Sequence, residues 1–220
     1  MKKLIFILVL LIGLPQLGYS QESSLGNWLI YFGNKKINPK WDWHNEVQYR
    51  NYNAISDFEQ LVLRTGFGYN LSENNNNIHL GYGYIFSQNY IDGTNDKEDI
   101  HENRIYQQFI TRQNFSGVSL QHRYRFEQRF IGDDFRLRFR YFLSLNIALS
   151  NKEIIDNTFY LSAYNEIFLN TQGDVFDRDR IYAGLGFRLN KTARFELGYM
   201  NQLFSDGNRG QINVISFINF

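Results

Sequence analysis

The sequence predicts an all-β protein: an antiparallel up-and-down transmembrane β-barrel of about ten strands (ten to twelve), with short periplasmic turns. Three observations carry that expectation. Polar and apolar residues alternate in segment after segment after residue 26, and successive side chains of a strand face opposite sides of its sheet. The alternating segments run about nine to fifteen residues, where soluble strands average about five or six and tilted membrane-crossing strands need about nine to eleven. The chain opens with an export signal, and no later stretch is apolar enough to cross a membrane as a helix. If the protein is in a membrane, it crosses as strands.

The first element is the leader MKKLIFILVLLIGLPQLGYSQ. Lys2 and Lys3 form a positive n-region, Leu4 to Leu14 is an apolar run, and Gly18 and Ser20 are small residues at the −3 and −1 positions of a cleavage site. The run is short for a membrane span. It reads as a signal peptide over residues 1–20, cleaved after about Ser20, with an uncleaved anchor as the alternative. No Cys follows it, which excludes a lipid-anchored lipoprotein. An exported chain without disulfides must draw stability from a large core or a closed sheet. Without Lys2 and Lys3 the remainder holds 21 basic and 22 acidic residues. A nucleic-acid binder shows a basic excess, so no nucleic-acid partner is expected.

Strands are expected at about 26–33, 40–51, 57–70, 76–87, 102–113, 117–130, 135–149, 158–169, 178–189, 193–204 and 210–220. In WDWHNEVQYR, Trp41, Trp43, Val47 and Tyr49 oppose Asp42, His44, Glu46, Gln48 and Arg50. In LVLRTGFGY, Leu61, Leu63, Phe67 and Tyr69 oppose Val62, Arg64, Gly66 and Gly68. IHLGYGYIF, RIYAGLGFRL and ARFELGYM repeat the pattern, with glycines on the less apolar face. These eleven segments conflict with the even strand number usual in bacterial barrels. The expected resolution is a barrel over residues 40–220, with residues 21–39 an N-terminal segment or partial strand that pairs partly or lies at the rim or in the lumen.

Periodicity alone does not say which face is inside, and a secreted soluble barrel would put its apolar face inward. The export signal, the strand length and the ending INVISFINF favour the membrane form. A terminal strand closing on Phe220 resembles the signal by which outer-membrane barrels are inserted. The expected location is therefore the cell outer membrane, and the expected partners are outer-membrane lipid and the barrel-insertion machinery. An outward belt should include Trp41, Trp43, Tyr69, Tyr82, Tyr84, Phe126, Phe139, Phe187, Phe195 and Phe220. With the C-terminus periplasmic, residues 88–101 become the longest loop, on the outer side.

The segment HRYRFEQRF is followed at once by IGDDFRLRFRYFLSL, and six arginines fall between Arg123 and Arg140. With Gly132-Asp133 as a two-residue hairpin turn, Phe130 faces Phe135, Phe126 faces Phe139 and Tyr124 faces Tyr141. On the other face Glu127 meets Arg138, Arg125 meets Arg140 and Arg129 meets Arg136. An arginine facing lipid costs about 2–4 kcal/mol at the bilayer midplane. The stripe is therefore expected to line the lumen. The expected luminal charge network is Glu46, Arg64, Arg123, Arg125, Glu127, Arg138, Arg140, Glu166, Arg188, Arg194 and Glu196. It reads either as a structural network filling a narrow barrel or as a basic pore or anionic-ligand site.

Together HRYRFEQRF, ENRIYQQF, YNEIFLN, DRDRIYAGLGF and ELGYMNQL resemble an uncharacterised outer-membrane barrel family, the domain of unknown function 2490. The resemblance runs over essentially the whole chain beyond the leader. It implies export to the outer membrane of a Gram-negative bacterium and an antiparallel barrel, and it brings no activity or catalytic residue with it.

The four histidines, His44, His79, His101 and His122, show no metal-ligand spacing. No catalytic, cofactor or metal site is expected. His44 with Asp42 and Glu46 is the nearest approach to a site, and a luminal polar network explains it more simply. GxSxG, P-loop and dinucleotide-binding fingerprints are absent. Two function classes remain. One is a structural or narrow-channel barrel with a charged, largely filled lumen. The other is an outer-membrane enzyme acting on lipid or envelope substrates at the outer rim, with Glu102, Arg104, Asp177, Asp179 and Arg180 as its suspects.

Overall fold

The computed structural model describes residues 25–72 and 75–220, so the expected signal peptide lies outside the described residues. Eleven strands form a closed barrel: β1 (Gly26–Lys36), β2 (Trp41–Asn51), β3 (Phe58–Asn70), β4 (Asn76–Tyr90), β5 (Lys97–Phe115), β6 (Val118–Ile131), β7 (Asp134–Ala148), β8 (Thr158–Asn170), β9 (Phe176–Arg188), β10 (Ala193–Leu203) and β11 (Asn208–Asn219). The chain is all-β, as its period-two pattern predicts. Each strand pairs antiparallel with the next, and β1 and β11 close the ring in parallel.

The β6–β7 hairpin shows how local chemistry sets register. Gly132 has φ +55, a backbone region that costs glycine little, and it turns the chain in two residues. Phe130 then pairs with Phe135, Phe126 with Phe139, Tyr124 with Tyr141 and Glu127 with Arg138, the register read from the sequence. The Phe126 and Phe139 rings lie 4.7 Å apart, and such cross-strand aromatic pairs stabilise a sheet. Gly81 serves a different need. It stands opposite Tyr106, whose fully buried ring occupies the space a Cβ at Gly81 would take. Gly83 lies beside the Arg64 side chain. The tighter cases admit tyrosine rings, because a flat ring packs directly over a bare backbone.

Residues 26–36 complete the ring. They were expected to pair only partly, beside a ten-strand barrel starting at Lys40. Instead Gly26 to Asn34 run beside Gln211 to Asn219, and Asn27 to Lys36 pair back onto Asn51 to Asp42. Unpaired sheet edges are unfavourable, and β1 covers both edges that the other ten strands would leave. Its composition suits the position, with Trp28 and Ile30 buried inside while Leu29 is exposed outside.

This closure has a direct test. Leu29 and Val214 are register partners on the outer face, and the chain has no native Cys. Neighbouring strands lie about 4.7–4.9 Å apart, within disulfide reach. Leu29→Cys with Val214→Cys is expected to cross-link on mild oxidation and migrate faster on an unreduced denaturing gel. Leu29→Cys with Leu197→Cys, one strand further round, should not. The opposite pattern would contradict the parallel seam.

The connections sort to two rims. Residues 52–57, 91–96, 132–133, 171–175 and 204–207 turn at the upper rim. The others, 149–157 among them, turn at the lower rim, where Phe220 also lies. The expected 88–101 loop is shorter than the sequence implied. The β4–β5 ladder continues to Tyr90 against Lys97, so its polar residues extend a hairpin. The longest connection is 149–157, at the lower rim.

Facing follows parity throughout. Of the ten expected belt residues, Trp41, Tyr82, Phe139, Phe195 and Phe220 are exposed on the outer face and Trp43, Tyr69, Tyr84, Phe126 and Phe187 half-exposed. The interior is mixed. Buried charged residues gather on β2 and on β5–β7, while Trp28, Ile30, Tyr182, Met200 and Ile215 form an apolar cluster where β9, β10, β11 and β1 meet.

Candidate functional site: an interior charge network above a basic cavity

Alternation delivers arginines and glutamates from neighbouring strands to the same side of the sheet, where low exposure forces them to pair. Glu127 is the centre. Its side chain is fully buried and accepts from Arg138 (Nε 3.0 Å, Nη2 2.7 Å) and from Arg140 Nη1 (2.6 Å), with Arg125 Nη1 3.6 Å away. Arg140 reaches on to Glu166 (2.7 Å), which also accepts from Arg123 (2.6 Å) and lies 3.8 Å from Arg180. Arg138 reaches the other way to Asp177 (2.8 Å). Glu46 pairs with Arg64. Glu127 and Glu166 are thus each shared by three guanidiniums, the arrangement that offsets the desolvation of buried charge.

The remaining predicted members sit differently. Glu196 was expected to partner arginine but accepts the hydroxyls of Tyr160 (2.9 Å) and Tyr182 (3.5 Å). Parity placed it inside, but its neighbours on β8 and β9 are aromatic. Arg194 stacks on the Phe217 ring at 3.9 Å, with no carboxylate in ion-pair reach among the described residues. Arg188 lies at the lower rim, 3.5 Å from Asp156 and bonded to the carbonyl of Ile154.

Sequence reasoning missed a second knot. Glu102 accepts two bonds from Arg104 (2.5 and 2.7 Å) and two from Arg129 (2.6 and 3.1 Å). The alternation in ENRIYQQF carries that signal. Glu102, Arg104, Asp177 and Arg180 are therefore interior ion-pair members, while Asp179 bonds Asn165 and the Arg180 amide. The rim suspects do not converge on one acid–base group. His101 bonds the Tyr84 hydroxyl, and His122 bonds that of Tyr141. His44 meets Asn34 (2.8 Å) and Glu46 (3.8 Å), whereas Asp42 turns to Asn77.

Arg50 stacks on Trp28 (3.6 Å to the ring centroid) and bonds Gln48 and Gln60. Arg180 lies over the same ring at 4.8 Å and bonds Gln202. Beyond this layer, at the upper rim, Arg209 pairs with Glu59 and stacks on Tyr52. Burial, with Glu59 nearby, pushes the Tyr52 phenol up to about 12. On the other side of the layer lies a cavity of about 870 Å³, bounded by Trp28, Arg50 and Arg180 at its inner end and by Lys35, Lys36 and Lys191 at the lower rim.

Comparison with known proteins adds the family. A family model described as "Protein of unknown function (DUF2490)" matches residues 25–213. The chain belongs to the DUF2490 family. An uncharacterised protein of Methylorubrum extorquens is 33% identical over 164 residues, covering 71% of this chain and 69% of that protein. No solved structure matches. The residues matched include β1.

Proposed function

We propose that this DUF2490 protein is an outer-membrane β-barrel whose lumen is closed across its middle by ion pairs and stacked guanidiniums, making it a structural barrel or at most a very narrow anion-biased channel. The observation that carries this is the layer around Glu127. That side chain is fully buried inside a closed sheet, and arginines from β6, β7 and β9 join it to Glu166, Phe168 and Trp28. Eight-stranded barrels are filled by side chains, and open aqueous channels appear at about sixteen strands. Eleven strands lie near the filled end.

The membrane placement is supported by the long strands and the exposed apolar outer face, and it makes outer-membrane lipid the partner of that face. Reconstitution in planar bilayers is the test. The expected result is no conductance or small anion-biased steps. Large, stable, porin-like steps from the wild-type protein would refute the closed lumen.

A further inference from the structure

We propose that the lower-rim cavity binds an amphipathic organic anion, with its acidic head near Arg123 and Arg194 and its apolar part along Ile30, Phe32 and Ile215. The inference stands on the cavity alone, so a conducting lumen would not remove it. At about 870 Å³ the space falls within the range of small-molecule sites. Its charge is strongly one-sided. Twelve Lys or Arg residues line it against four Asp or Glu, in a chain whose formal net charge is only +1.

The four carboxylates are already engaged. Glu46 holds Arg64, Glu166 holds Arg140 and Arg123, Glu196 takes two tyrosine hydroxyls, and Asp42 takes the Asn77 amide. Arg194 has only the Phe217 face, and the Arg50 guanidinium bonds only glutamine oxygens, among the described residues. The Nε atoms of Arg64 and Arg123 are buried and have no hydrogen-bond partner among the described residues, although buried donors are normally satisfied. Both residues line the cavity. Exposed Lys35, Lys36 and Lys191 at the mouth would draw an anion inward.

Beside Arg194 the wall turns apolar. Ile30 and Phe32 of β1 and Ile215 of β11 face the same space, next to the Phe217 ring on which Arg194 stacks. A small inorganic anion would satisfy the guanidiniums and leave this wall unused. An acyl or aryl anion uses both halves.

Trp28 lines the cavity, and the other two tryptophans, Trp41 and Trp43, lie on the outer face. In a Trp41→Phe/Trp43→Phe background, Trp28 emission therefore reports occupancy. The probes, added to protein in lipid nanodiscs, are decanoate and decyl phosphate, with decyltrimethylammonium and inorganic phosphate as comparators. Saturable emission changes are expected with both decyl anions and not with the cation, and inorganic phosphate should bind at least tenfold more weakly. The ratio of the two decyl anions tells a carboxylate head from a phosphate head. Arg194→Gln, which strands no carboxylate, should weaken decyl-anion binding by roughly tenfold, the scale of one charge-assisted hydrogen bond. Ser144→Glu, placing a carboxylate on the cavity wall, is a second variant with the same expected direction should the first fail to fold. No saturable response, equal response to the cation, phosphate binding as tight as decyl phosphate, or unchanged affinity in the folded variants would overturn the proposal.

Discussion

Replacing Glu127 with Ala is expected to lower folding stability by about 3–5 kcal/mol, the cost of breaking a buried ion pair by removing one partner. Glu127 is fully buried and holds Arg138 and Arg140 directly. Without it, Arg138 retains Asp177 and Arg140 retains Glu166, but each loses its closest support in a site sealed from water. Arg125, already 3.6 Å from Glu127, loses its nearest carboxylate. Glu127→Gln keeps the shape and loses the charge, so it should fall between wild type and Ala. The comparison is Asp134→Ala, which removes the pair to Arg136 between side chains 66% and 54% exposed. Pairs in water contribute about 0–1 kcal/mol. Equilibrium denaturant unfolding of the barrel in lipid vesicles measures both. Equal, small effects at 127 and 134 would mean that the interior network does not hold the barrel together.

Parity made much of this legible in advance. In HRYRFEQRF and FRLRFRYF the two faces differ so sharply that the register, the turn at Gly132 and the sharing of one side by Glu127, Arg138 and Arg140 all follow from alternation. Partners were less legible than facing. A period of two places a side chain inside, but which residue it meets depends on what the next strands deliver. Glu196 met tyrosines and Glu102 met two arginines for that reason. β1 was the hardest element, because GNWLIYFGNKK is apolar on both parities through Trp28, Leu29, Ile30, Tyr31 and Phe32. A strand with two apolar faces gives no alternation to read. The preference for even strand numbers then argued against counting it in full. The apolar inner wall escaped notice for the same reason, since Ile215 and Phe217 lie between outward Val214 and Ile218 in a run apolar on both sides.

If the apolar outer face meets lipid, as proposed, the cost of a charge placed on it depends on its depth in the bilayer. Leu63 lies midway along β3, outward and 39% exposed, between Val47 and Tyr84 on the neighbouring strands. Phe135 is likewise outward and 45% exposed, but sits beside the upper-rim turn at Gly132. Arginine on the lipid face costs about 2–4 kcal/mol at the midplane and about 0–1 near the interface, whereas surface substitutions on a soluble protein usually stay within about ±0.5 kcal/mol. Unfolding free energies of Leu63→Arg and Phe135→Arg in vesicles should therefore differ, with Leu63→Arg destabilised by about 2–4 kcal/mol and Phe135→Arg nearly unchanged. Two small and equal effects, with refolding that needs no lipid, would contradict the membrane barrel and leave a soluble one with an apolar exterior.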